Sequence, residues 1–218
     1  MDLFTLQKWQ RTLLNLPLLV MAFSFHEYAH ALVADKLGDP TPKKEGRLTT
    51  SPFKHIDILG FVFFLVAGFG WAKPVRTDSS HFKRPKRDLA LVAASGPLTN
   101  LFLALFFAVA LIVLFMIIDP NLIYTNYTVY IAYEFILSGI YLNILLFVLN
   151  LLPIPPLDGS RILYSILPDR MDKVIYFLES IGFYLLLVLI ISGALDKILT
   201  PIISLIFNNY AKILQLVF

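Results

Sequence analysis

The chain has 218 residues, of which 58% are hydrophobic and only 15% charged, and its mean hydropathy is +0.75. An average soluble domain is nearer half apolar and a quarter charged, so this composition excludes soluble enzymes, secreted domains and disordered chains. The absence of cysteine excludes disulfide frameworks, iron–sulfur sites and thiol nucleophiles, and the net charge of +3 sits in particular loops, which argues against a nucleic-acid partner.

The first apolar stretch follows Arg11 and continues to about Ala34, just before Asp35 and Lys36. Signal peptides also place an apolar run behind a basic start. This stretch, however, is long enough to span a bilayer, and its second half carries His26, Glu27 and His30. A cleavable segment has no use for three ionisable groups. Residues 36–54 are polar, with Lys36, Lys43, Lys44, Arg47 and Lys54 among turn-prone Gly38, Asp39, Pro40 and Pro42. A shorter apolar segment, 58–72, is followed by a second basic loop, 73–87, with six Lys and Arg.

Basic flanks on both sides of 58–72 belong on the cytoplasmic face, so this segment is expected to enter and leave the membrane from one side. Arg47 to Thr50 and Phe61 to Phe64 carry strand-like residues, which predicts a small membrane-associated β element. The uncharged run 89–118 then crosses outward, and the loop 119–129, without Lys or Arg, is external. A return span of about 130–152 lies largely within the uncharged run 135–157 and ends at Pro153, Pro155 and Pro156. Arg161, Arg170 and Lys173 mark the cytoplasmic side again, and 174–195 crosses outward once more. The tail 198–218, broken by Pro201, Asn208, Asn209 and Lys212, is expected to lie in the interface or to re-enter. The expectation is an all-α polytopic membrane protein of about four to six transmembrane helices with a small β element, forming a single domain over 1–218.

His26-Glu27-Tyr28-Ala29-His30 is an H-E-x-x-H pattern on a helix. Positions i and i+4 lie on one helix face, so His26 and His30 converge on one metal ion, while Glu27 lies beside that face. There it can take a proton from an attacking water without ligating the metal. Two His and a Glu in a transmembrane helix are costly unless paired or metal-bound, although a proton relay is also a use for them.

A catalytic zinc needs a third protein ligand. His55 and His81 fall in the basic loops, which leaves Asp158, in Asn150-Leu-Leu-Pro-Ile-Pro-Pro-Leu-Asp158-Gly159, as the best candidate. Its alternative use is as an N-cap of a short helix beginning at Gly159. Depth supports the pairing: His30 lies about 9 Å of helical rise from Lys36, and Asp158 is three residues from Arg161, both near the cytoplasmic side.

These motifs resemble the site-2 protease family of intramembrane zinc metalloproteases. His26-Glu27-x-x-His30 in a first span and Asn150-x-x-Pro-x-Pro-x-x-Asp158-Gly159 in a later one carry the resemblance. Gly46 to Thr49, His55 to Asp57, Gly70 to Val75 and Ser95 to Asn100 look like segments of its compact prokaryotic branch. The resemblance implies His26, His30 and Asp158 as ligands of one Zn2+ per chain, Glu27 as catalytic base and Asn150 as a group binding the substrate carbonyl or oxyanion. It also implies a substrate that is itself a transmembrane protein, and hydrolysis within or beside the bilayer of a prokaryotic cell membrane. Larger members carry PDZ or CBS modules that have no counterpart here, so regulation through them is not carried over. An edge strand within 46–64 is expected to hold substrate extended by β-augmentation.

A proton- or metal-coupled transporter is the competing class, but it leaves the Glu of the motif and the 150–158 element unexplained. A hydrolase acting on lipid or a prenylated peptide would use the same site. Of the other polar residues, Glu134 is expected to snorkel at the external interface and Asn143 to join helices. Gly96-Pro97 should permit close packing or a kink. Glu179 could support the site or pair with a cation, and His55 could cap the surface or reach the site.

Overall fold

The computed structural model describes residues 8–67 and 72–217, with the backbone alone at 8–9, 63–67, 169 and 208–217. Backbone in hydrocarbon must satisfy its own hydrogen bonds, and the long uncharged runs do so as helices. Helix α1 (Lys8–Leu37) leads into two one-turn helices, α2 (Thr41–Lys44) and α3 (Pro52–His55), and then α4 (Ile58–Ala67). Helices α5 (Pro85–Ile117) and α6 (Tyr127–Asn150) form a long packed pair. After the proline-rich turn come α7 (Asp158–Ile166), α8 (Asp172–Ile191) and α9 (Ala194–Val217).

Four of these helices, α1, α5, α6 and α8, are long and apolar enough to cross a membrane. The core lies where α1, α5 and α6 meet, around Leu18, Phe107, Leu111, Ile140 and Ile144. Leu195, Leu199 and Ile203, spaced by four on α9, present one stripe to the same core. Phe102, Phe106, Val109 and Val113 of α5 instead face outward. A water-soluble protein does not expose such a continuous apolar face on its longest helix, whereas lipid solvates it. The chain is an integral membrane protein of the all-α polytopic class.

The β element is the point of difference. Phe61 to Phe64 lie in α4, a helix of ten residues that is about 15 Å long and too short to cross a bilayer core of about 30 Å. Asp57 starts it, accepting from the Gly60 N–H at 2.9 Å. The run is apolar without alternation, and without a partner strand a helix is the local way to pair its backbone groups. Arg47 to Thr50 form an irregular segment with bends at Leu48 and Thr49, tied by the Arg47 guanidinium to the carbonyl of Lys54 and, at 3.5 Å, to that of Lys73. Among the described residues only an isolated antiparallel bridge remains, Ile56 to Ala72, with the Lys73 N–H on the His55 carbonyl at 2.8 Å. The expected edge strand for β-augmentation is therefore not present among them; Gly70 and Trp71 lie outside the described residues.

This topology puts the α2–α4 loops and 73–87 on one membrane face and Asn126, at the N-cap of α6, on the other. Single cysteines at Thr50, Ser79 and Asn126 of this cysteine-free chain should divide accordingly under an impermeant thiol reagent. Only Asn126→Cys is expected to label in intact cells. Labelling that separates Thr50→Cys from Ser79→Cys would make 58–72 a crossing and overturn the arrangement.

Candidate metal centre

One helical turn on α1 brings His26 and His30 side by side, their Nε2 atoms 3.0 Å apart and their rings nearly perpendicular. The third group arrives from the far end of the sequence. The proline-broken turn 151–157 closes on itself through Ile154 N–H to Leu152 O and Leu157 N–H to Ile154 O, and so delivers the first residue of α7 into the bundle. Gly159 makes this possible, since a Cβ there would stand 2.3 Å from the Leu151 carbonyl oxygen. Asp158 Oδ2 consequently lies 3.1 Å from His26 Nε2 and 3.3 Å from His30 Nε2. Its carboxylate makes no cap: the N-cap of α7 is Leu157, with no side-chain capping bond.

The outer nitrogens decide what these three atoms are. His30 Nδ1 lies 2.7 Å from the Val92 carbonyl, which can only accept, so the proton is on Nδ1. For His26 the logic runs through two amides. Asn143 Nδ2 donates to the Gly139 carbonyl at 2.8 Å, which turns its Oδ1 toward Asn100. Asn100 Nδ2 donates to that Oδ1 at 3.1 Å and to the Ala22 carbonyl at 3.4 Å, leaving Asn100 Oδ1 to accept from His26 Nδ1 at 2.6 Å. Asn100 and Asn143 are both fully buried.

With Nδ1 of each ring turned to an outside acceptor, both Nε2 atoms face inward and converge with the carboxylate oxygen. A metal ion at their centre would be held by all three. Three ligands of a tetrahedral zinc at about 2.0–2.2 Å stand about 3.3 Å apart, close to the observed triangle, and two His with one carboxylate is a known catalytic zinc set. Helix α5 closes over the triangle at Gly96, where a Cβ would meet the two Nε2 atoms at 2.4 and 2.5 Å. The residues present fit zinc.

Glu27 is buried beside the triangle, and its Oε2 accepts the backbone N–H of Val75 at 2.8 Å. The loop carrying Val75 is anchored to the end of α1 by Asp39, fully buried, which accepts the N–H groups of Asp78 at 2.7 Å and Thr41 at 2.9 Å. Hydrogen bonds from Ser80 hold the Asp78 carboxyl below its ordinary range, so it stays charged 3.4 Å from His81. Asn150 ends α6, with Nδ2 donating to Leu146 O at 3.0 Å in its own helix. His55 is buried, with Nε2 on the Thr49 carbonyl at 2.7 Å, and Glu179 is exposed on α8. The supports absent from the sequence reading are Asn100, the Val92 carbonyl, Asp39 and the Val75 N–H.

Fold and donor set together define an integral-membrane metalloenzyme. The family model of peptidase family M50 matches residues 115–191. A chain of Bacillus subtilis strain 168 named as a zinc metalloprotease, YwhC, is 39% identical over 92% of this chain and 90% of its own. Rip2 of Mycolicibacterium smegmatis, also named as a zinc metalloprotease, is 30% identical over 82% of this chain and 66% of its own. One from Methanocaldococcus jannaschii is 31% identical over 65% and 64% respectively. No solved structure matches. The chain belongs to peptidase family M50 and is a zinc metalloprotease.

Two substitutions that spare all three converging groups should nonetheless release metal. Asn100→Ala removes the acceptor that orients His26 and is expected to weaken zinc about 10- to 100-fold. Gly96→Ala puts a methyl group into the space between the two Nε2 atoms and should abolish binding. Zinc content after dialysis against a graded chelator series measures both, and wild-type retention in both variants would refute the geometry.

Proposed function

We propose that this chain hydrolyses peptide bonds within or beside transmembrane segments of other membrane proteins, at a zinc site near the cytoplasmic face of a prokaryotic membrane. His26, His30 and Asp158 hold the metal, Glu27 is the base, and Asn150 binds the scissile carbonyl. The observation that carries it is the meeting of His26 Nε2, His30 Nε2 and Asp158 Oδ2 inside a membrane helix bundle. Basic loops on the same face as Asp158 support the cytoplasmic side. Bacterial and archaeal relatives support the prokaryotic setting. A transporter reading gains nothing from these relatives.

Zinc, when bound, polarises the scissile carbonyl and makes water more acidic. Val75 fixes Glu27 through Oε2, so Oε1 is the oxygen that takes the proton of the attacking water and returns it to the leaving nitrogen. One Asn150 amide hydrogen is spent on Leu146, and the second is available to the carbonyl oxygen as it gains charge. The near-closed site, with His26, Glu27 and His30 all under a tenth exposed, keeps bulk water from competing for these bonds. A helical substrate hides its carbonyls and must unwind before one reaches the site.

Glu27→Gln keeps an oxygen for the Val75 N–H and loses the base. Cleavage of a panel of co-expressed single-span proteins should fall at least about 100-fold with zinc content unchanged. Asp158→Ala should lose zinc and cleavage together. Glu27→Gln activity within tenfold of wild type, or full zinc in Asp158→Ala, would overturn the assignment.

A further inference from the structure

Where α1 ends and α5 begins, the surface opens into a cleft of about 380 Å³ lined by Lys36, Leu37, Lys83, Arg84, Arg87 and Asp88. Four cations share it, and among the described residues none of the four takes part in an ion pair. The one carboxylate is already occupied: Asp88 is buried and its Oδ2 accepts the Arg84 backbone N–H at 2.9 Å. The positive end of the 33-residue helix α5 opens at the same place. A second apolar cluster, of Ala34, Phe82 and Val92 with Val33, Leu37 and Leu89, packs alongside the same two helix ends. The cleft thus joins a basic rim to apolar surroundings.

Its depth identifies what fits. Arg87 and Asp88 are the last charges before the uncharged run 89–118, and Lys36 is the last residue but one of α1. The cations therefore sit at the level where hydrocarbon gives way to headgroups. We propose that this cleft binds the phosphate of an anionic phospholipid, with the acyl chains running down the apolar surface of α1 and α5. A lipid is favoured over an acidic protein segment because the rim is at headgroup depth and its neighbours are apolar.

The consequence reaches the metal centre. A phosphate held by Lys36 from one helix and Arg84 and Arg87 from the other ties together α1 and α5, the pair whose contact includes His30 on the Val92 carbonyl. Binding of the lipid stabilises that pair against separation.

The test uses the full chain purified in an uncharged detergent, with phosphatidylglycerol or phosphatidylcholine added, read by native mass spectrometry and thermal melting. Wild type should retain one phosphatidylglycerol and melt several degrees higher with it, and phosphatidylcholine should do neither. R84Q/R87Q should lose at least tenfold in retention and most of the shift. K43Q/K44Q, an equal charge loss at exposed residues of the same face, should keep both. If R84Q/R87Q melts below wild type in phosphatidylcholine, K36Q/K83Q replaces it as the variant from which the loss is read. Wild-type retention in the cleft variants, or equal loss in K43Q/K44Q, overturns the site. A full shift with inorganic phosphate alone makes it a free-anion site, and displacement by an acidic peptide but not by phosphatidylglycerol makes it a protein contact; either result overturns the lipid.

Discussion

Three lone pairs aimed at one point, in the low-dielectric interior of a helix bundle, are the constraint around which this molecule is arranged. Two imidazole nitrogens and a carboxylate oxygen within about 3 Å repel one another unless a cation lies between them. Left alone, either ring would turn its N–H inward and replace the repulsion with a hydrogen bond. The backbone carbonyl of Val92 and the amide of Asn100 prevent it, each by taking the Nδ1 proton from outside. Asn100 can do so only because Asn143 and Ala22 fix which of its ends faces His26. The orientation of the two rings is thus set by α5 and α6, two helices that contribute none of the three converging atoms.

Irregular backbone at such a depth is tolerated only where protein covers it and its polar groups are paired. The turn between α6 and α7, of which Pro155 is buried while Leu151, Pro153 and Pro156 are exposed, meets the second condition. Short-range bonds pair its N–H groups, and prolines, which have none to pair, fill the remaining positions. The same economy explains α4, where an apolar run with no strand to pair with closes its hydrogen bonds locally as a short helix.

Much of this was legible in the sequence. The four spans followed from uncharged length, the loops from the placement of Lys and Arg, and the His pair from a spacing of four. Asp158 followed from elimination and depth, and Asn143 from the cost of an amide in hydrocarbon. Asn100 carried the same signal, a buried amide in an uncharged run, but nothing local said that its partner would be 74 positions away in His26. The Val75 N–H had no signal at all, because a backbone donor is common to every residue but proline. The strand reading failed for a different reason. β-propensity describes a fit to a neighbouring strand, and a sequence does not say whether that neighbour exists.

In the proposed reading the metal and the base are held by different parts of the chain, and this division bears on how the site is maintained. The histidines are oriented from within the membrane by α5 and α6, through groups that are fully or nearly fully buried. Glu27, although it is the next residue after His26, is oriented from outside, by a loop whose position depends on Asp39 at the end of α1. A displacement of that loop moves the Glu27 carboxylate and leaves the converging groups where they are. A site so divided, on the proposed roles, would keep its metal while its proton chemistry answers to the basic loops at the end of α1.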